Sequence, residues 1–260
     1  MKFTYRLILV VISCILAIMA FPLPDMWLLA WFCLVPALVA TNNSGFWKGL
    51  LLGQIFGLGF IMGITRFLLI FGWEPFLFGG IYWALHFALF FGLWGWFSEK
   101  YAPARHWARL VVPPLLWVGL EWLKNQGIFG FAYGMLGLTQ YDFSALAQLA
   151  SVTGVFGISF FLVAFNTLVA ETILGIIQRG KELGLEPWKN FKFFAFFGQI
   201  WTIKRDMLGQ NANNKVLRYY LICFFALFFA VIAMGRFSIP YQVRFGAYEE
   251  LGRKPVKVGL

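Results

Sequence analysis

Among side chains able to act as acids, bases, nucleophiles or metal ligands, the 260 residues offer eleven carboxylates, two histidines and three cysteines. Their spacing sets up none of the common chemistries. There is no Ser/His/Asp set, no His-x-x-x-His or Cys/His cluster, and no phosphate-cradling Gly-rich loop followed by Lys and Ser/Thr. Cys14, Cys33 and Cys223 lie inside apolar runs without a nearby base. An odd count without Cys-x-x-Cys spacing gives neither a disulfide framework nor a metal site, so they read as small buried hydrophobes. His86 stands mid-run with no carboxylate near it in sequence, and reads as a packed, hydrogen-bonded side chain rather than a proton relay. Glu249 and Glu250 are adjacent, but in a polar tail where a solvated pair is expected. What remains are isolated polar and aromatic groups at the edges of apolar segments: Trp73-Glu74, Glu121 between Trp117 and Trp122, Phe131, Tyr133 and Gln148. Glu121 has two readings. It is an interfacial partner of Lys124 three residues on, or a polar group facing a headgroup or substrate cavity.

The elements that must position these groups are apolar. The hydrophobic fraction is 61%, the charged fraction 12%, aromatics 20% and the mean hydropathy +0.76. An ordinary soluble domain has about a quarter charged residues, so a soluble enzyme and a disordered chain are both excluded. A helix needs about 20 apolar residues to cross the hydrocarbon core. The uncharged runs predict an all-α, polytopic membrane bundle of about seven transmembrane helices, over roughly 7–21, 26–40, 46–71, 76–97, 107–123, 157–178 and 219–235. Trp27 and Trp31 read as interface anchors of the second span. Gly49, Gly53 and Gly57, then Gly59 and Gly63, predict close helix packing in the third. Arg66, near the end of that span, is expected to reach the headgroups. Pro113-Pro114 is expected to interrupt the fifth span. Residues 125–142 are too apolar for a free loop and 143–156 read as a surface helix. Asn166 and Glu171 fall in the sixth span.

The formal charge of +10 could suggest nucleic acid, but the basic residues form no continuous stripe. Their distribution is topological. An N-terminus on the cytoplasmic side gathers Lys2, Arg6, Lys48, Lys100, Arg105, Arg109 and eight basic residues of a 179–218 loop there, 14 of the 21, as the positive-inside bias requires. The tail after residue 235 then emerges on the far side. It ends in Pro255-Val256-Lys257-Val258-Gly259-Leu260, an alternating stretch that reads as the start of a strand.

Several stretches resemble the N-terminal membrane region of the apolipoprotein N-acyltransferases. They are Leu16 to Pro36 (LAIMAFPLPDMWLLAWFCLVP), Gly57 to Gly63, and Trp117 to Leu168, within which Gln148 to Ser159 follows a Gln-x-Ala-Ser-x-x-Gly-x-x-Gly-x-Ser pattern. Val256 to Leu260 is similar to the onset of the first strand of the family's α/β nitrilase-like domain. The resemblance implies a bacterial inner-membrane enzyme that moves an acyl chain from a phospholipid to the N-terminal amine of a diacylated lipoprotein, without cofactor or metal. Its Cys-Glu-Lys triad belongs to the nitrilase-like domain and has no counterpart here. The resemblance therefore implies a fragment in which 236–260 are a periplasmic linker and first strand, inactive alone. None of the three cysteines is assigned as nucleophile. It also implies that Trp73, Glu74, Glu121, Trp122, Phe131, Tyr133 and Gln148 line a lipid cavity open to the bilayer. The alternative classes are a non-catalytic membrane scaffold and a transporter; a transporter should show an internal repeat or facing mid-membrane charges, and neither is evident.

Overall fold

The computed structural model describes residues 1–22, 24–101, 106–182 and 212–238, and all regular structure among them is helical. In chain order the helices are α1 (Phe3–Met19), α2 (Val35–Thr41), α3 (Phe46–Ile64), α4 (Trp73–Tyr101), α5 (His106–Lys124), α6 (Ser144–Ala147), α7 (Ala150–Thr153), α8 (Val155–Glu182) and α9 (Ala212–Ser238). Three 3₁₀ turns, Trp27–Trp31, Arg66–Phe71 and Leu136–Gln140, join them. Among the described residues, Phe46–Ile64, Trp73–Tyr101 and Val155–Gln178 are long and apolar enough to cross a membrane. Phe3–Met19, Trp27–Thr41 (a 3₁₀ turn followed by α2) and Tyr220–Ala233 are shorter apolar helical segments. The architecture is all-α, multi-span and membrane-helical. Helix α5 stands apart from both groups because it carries Arg109, Glu121 and Lys124 within 19 residues.

The glycines of α3 pack it on two sides. A Cβ at Gly49, Gly53 or Gly57 would stand 2.4, 2.6 or 2.8 Å from the carbonyl oxygens of Phe91, Phe87 and Ala84 in α4. Those distances are possible only without a side chain, so the glycines let the two backbones meet. On its other side Gly59 and Gly63 leave room for the Cys14 and Ile18 side chains of α1. Rising numbers on α3 meet falling ones on α4 and rising ones on α1, so α3 runs antiparallel to α4 and parallel to α1. Between them Phe56 stacks on Phe60, and these two meet Phe87 and Phe91 edge to face or obliquely, with ring centroids 5.3–5.8 Å apart, favourable aromatic geometries.

Several boundaries differ from expectation, each for a local reason. The second apolar run is not one helix but a 3₁₀ turn followed by α2. Asn166 of α8 holds the break: its amide oxygen accepts from Leu34 N–H (2.8 Å) and its nitrogen donates to Ala30 (2.9 Å) and Leu162 (2.8 Å) carbonyls. The third run ends as an α-helix at Ile64, where buried Thr65 turns its hydroxyl back onto the Ile61 carbonyl. Trp73-Glu74-Pro75, which falls between the expected spans 46–71 and 76–97, opens α4; proline fits there because first-turn N–H groups have no helical partner. Helix α5 continues through Pro113 and Pro114. The 143–156 segment is two short helices, α6 and α7, before α8. Trp31 is no interface anchor: it is buried and donates its indole N–H to Gln140 (3.1 Å). His86 is half-buried, 3.3 Å from the Trp83 carbonyl and edge-on to Tyr82. Arg66 is exposed.

The described bundle has two chemically distinct ends. At one, Arg6 reaches the Ala40 and Asn42 carbonyls, Asn43 N–H binds Ser98 (2.8 Å), and Arg109 forms a bidentate pair with Glu171 (2.8 and 2.9 Å) while donating to Asn42 (2.7 Å). Lys2, Lys48 and Lys100 lie at this end by their helix positions. The other end holds Asp25, Arg66, Glu74, Glu121, Lys124 and Asp142, a mixed set. The expected tail strand, and most of the 179–218 loop, lie outside the described residues.

Candidate functional site

The mixed-charge end is built around a strap between α5 and α6, residues 131–140, irregular at first and ending in the 3₁₀ turn Leu136–Gln140. A strap that is not an α-helix must satisfy much of its backbone from elsewhere, at a cost of several kcal/mol for each group left dry. Here side chains do so. Trp117 and Glu121 are one turn apart on α5, and the Trp117 indole donates to Glu121 Oε1 (2.8 Å). The same oxygen accepts from Leu136 N–H (2.8 Å). One α5 turn on, the Lys124 ammonium donates to the Tyr133 carbonyl (2.9 Å). From α8, the Ser159 hydroxyl accepts from Gly137 N–H (2.8 Å). At the far end of the strap Gln140 accepts from Trp31 and donates to the Trp27 carbonyl (3.1 Å) and Thr139 (2.9 Å).

Glu121, Lys124, Ser159 and Gln140 are all buried. Glu121 and Lys124 make no direct ion pair; each addresses the strap backbone instead. Glu121 Oε2 has no hydrogen-bond partner. The expected interfacial Glu121–Lys124 pair is thus not formed, and Glu121 turns toward the strap.

Aromatic rings cover the strap. Phe131 stacks on Trp83 of α4 at 3.9 Å, and the Trp83 indole donates to the Phe129 carbonyl (2.9 Å). Tyr133 meets Phe67 edge-on (5.7 Å) and lies 6.3 Å from Phe21. Of the seven expected site residues, the structure thus brings Glu121, Phe131 and Tyr133 into one assembly. Trp73, Glu74 and Trp122 are exposed outside it, Trp73 and Trp122 as large apolar faces. Gln148 is half-buried at the end of α6, away from the strap contacts. Lys124, Ser159, Gln140 and Trp31 were not singled out by sequence reasoning as parts of the site. Three of them are polar residues within the Trp117 to Leu168 stretch, which was the available signal.

No group of three or more His, Cys, Asp or Glu able to hold a metal occurs among the described residues. Cys14 and Cys33 are buried and Cys223 lies on an exposed helix face; none sits beside an acid or base of the strap. The arrangement itself can position backbone and aromatic rings.

Residues 13–168, which span α1 to the first half of α8 and include the whole strap, match the family model described as the apolipoprotein N-acyltransferase N-terminal domain. The chain is 31% identical to the apolipoprotein N-acyltransferase of Geobacter metallireducens over 66% of its own length and 34% of that protein. It is 28% identical to the Thermotoga maritima protein of the same name over 61% and 33%, and 31% identical to that of Gloeobacter violaceus over 57% and 31%. The matched region thus spans about a third of the length of these relatives.

Proposed function

The chain belongs to the apolipoprotein N-acyltransferase family, and we propose that it serves as the membrane part of such an enzyme. In this reading an acyl chain passes from a phospholipid to the α-amino group of a diacylated N-terminal cysteine on a lipoprotein. The bundle spans a bacterial inner membrane about seven times, with the basic end and N-terminus cytoplasmic and the strapped end, with the tail beyond α9, periplasmic. The distribution of basic residues supports that orientation. The seventh crossing requires α5, whose charged ends sit at opposite faces of the bundle, and the broken Trp27–Thr41 segment.

The observation that carries the proposal is the strap: a ring-covered segment, not α-helical, held by buried polar side chains, inside the region that matches the family. Such a structure is expensive to bury and supplies what an acyl transfer needs from a membrane region, an ordered rim where a lipid leaves the bilayer. Trp73, Glu74, Trp122, Phe131, Tyr133 and Gln148 would form that rim, and Glu121 its support. The thioester-forming Cys-Glu-Lys chemistry is left to a nitrilase-like domain, toward which residues 236–260 would lead. The test is a chimera in which this chain replaces the corresponding membrane region of the Geobacter metallireducens relative. Acyl transfer from phospholipid to a diacylated lipopeptide in membranes is the expected result. A chimera present at normal abundance but without transfer would leave the chain a scaffold.

A further inference from the structure

The chemistry of Glu121 need not be that of an acid or base. We infer that Glu121, together with Lys124 and Ser159, is a positioning residue that acts through the strap backbone, and that its working feature is the hydrogen-bond acceptor Oε1 rather than its charge. The inference rests on the acyltransferase reading only for its activity arm.

Three strap groups are each met by a different buried side chain: the Tyr133 carbonyl by Lys124, Leu136 N–H by Glu121 and Gly137 N–H by Ser159. The contacts come from two helices, α5 and α8, so they fix the strap against the junction of both. The two bonds donated to Glu121, from the Trp117 indole and Leu136 N–H, converge on the single oxygen Oε1, so one correctly placed acceptor accounts for both. The residues the clamp holds in place are the ones that reach the surface: Tyr133 against Phe67, and Phe131 against Trp83. Gly134, at φ +81, lies between the clamped groups, and a Cβ there would strike Ile64 at 2.8 Å, so the strap has this path and little room for another.

The test separates acceptor from charge. Glu121→Gln keeps an acceptor oxygen in place; Glu121→Ala removes it. Hydrogen exchange of the Leu136 and Gly137 amides, followed by mass spectrometry on the chain in native membranes or nanodiscs, should quicken on the order of tenfold in Glu121→Ala and stay near wild type in Glu121→Gln. In the chimera, Glu121→Gln should retain acyl transfer within about threefold while Glu121→Ala loses tenfold or more. Unchanged exchange in Glu121→Ala overturns the inference. So does a Glu121→Gln chimera as inactive as Glu121→Ala with its amides still protected, because charge would then be the acting feature. If Glu121→Ala fails to accumulate, Ser159→Ala, which removes the acceptor of the Gly137 amide, decides by the same exchange measurement. A wild-type chimera without transfer would defeat the acyltransferase reading and leave the exchange result standing.

Discussion

At the scale of single residues, the two ends of the bundle use buried charge differently. Arg109 and Glu171 meet in a bidentate pair, with Asn42 accepting a further bond and Trp94 lying 5.3 Å under the guanidinium. Breaking one side of such a pair leaves a buried charge and costs about 3–5 kcal/mol, whereas replacing both partners by apolar groups is often neutral. Arg109→Met should therefore lower thermal stability in detergent markedly, and Arg109→Met with Glu171→Met should recover most of the loss. At the other end Tyr141 donates its phenol to the Asp25 carboxylate. This bond, chiefly, pushes the phenol up to about 12 from its ordinary 10. A raised pKa of the neutral form means the contact contributes fully below pH 10 and is lost as pH climbs through 12. An alkaline absorbance titration of Tyr141→Phe should accordingly lack one late-titrating phenol. Sequence reasoning could name Glu121 and Lys124 as a pair at helical spacing. It could not see that both turn toward a strap up to 15 residues away, because that direction is set by the fold of the strap and not by the spacing on α5.

At the scale of elements, what was legible followed from local rules. Uncharged runs located α1, α4, α5 and α8 to within four residues, whereas α3 ends and α9 begins seven residues before the expected bound; glycines four apart marked the α3–α4 contact, because that signal is written in consecutive turns of one helix. Gly53 makes the sharper test. A methyl group there would stand 2.6 Å from the Phe87 carbonyl oxygen and 2.9 Å from Ala88 Cα, backbone atoms that cannot rotate away. Gly53→Ala should cost about 1–3 kcal/mol by overpacking. Gly119→Ala on α5, with nothing within 4 Å, should instead be neutral or gain up to about 1 kcal/mol from helix propensity; thermal unfolding in one detergent compares the two. The break inside residues 26–40 was not legible. Its cause, Asn166, lies 132 residues from Leu34, and apolar composition alone reads the same for a straight helix and a broken one. Asn166→Leu, which leaves Leu34 N–H unpaired, should cost about 1–3 kcal/mol on the same assay.

At the scale of the molecule, the membrane class followed from composition alone, since no soluble surface could be assembled from 12% charged residues. The strap did not, because its meaning depends on α5 and α8 meeting over it. The account stands on the strapped end being the working end and facing away from the cytoplasm. Ile128, 98% exposed at the tip of the segment leading into the strap, and Lys48, at the start of α3 beside the basic end, report the two ends. Single cysteines at these positions, in a Cys223→Ser background, can be challenged with a membrane-impermeant maleimide on intact cells with a permeabilised outer membrane. Ile128→Cys should label without opening the inner membrane and Lys48→Cys only after it is opened. The reverse pattern would place the strap in the cytoplasm and contradict the account.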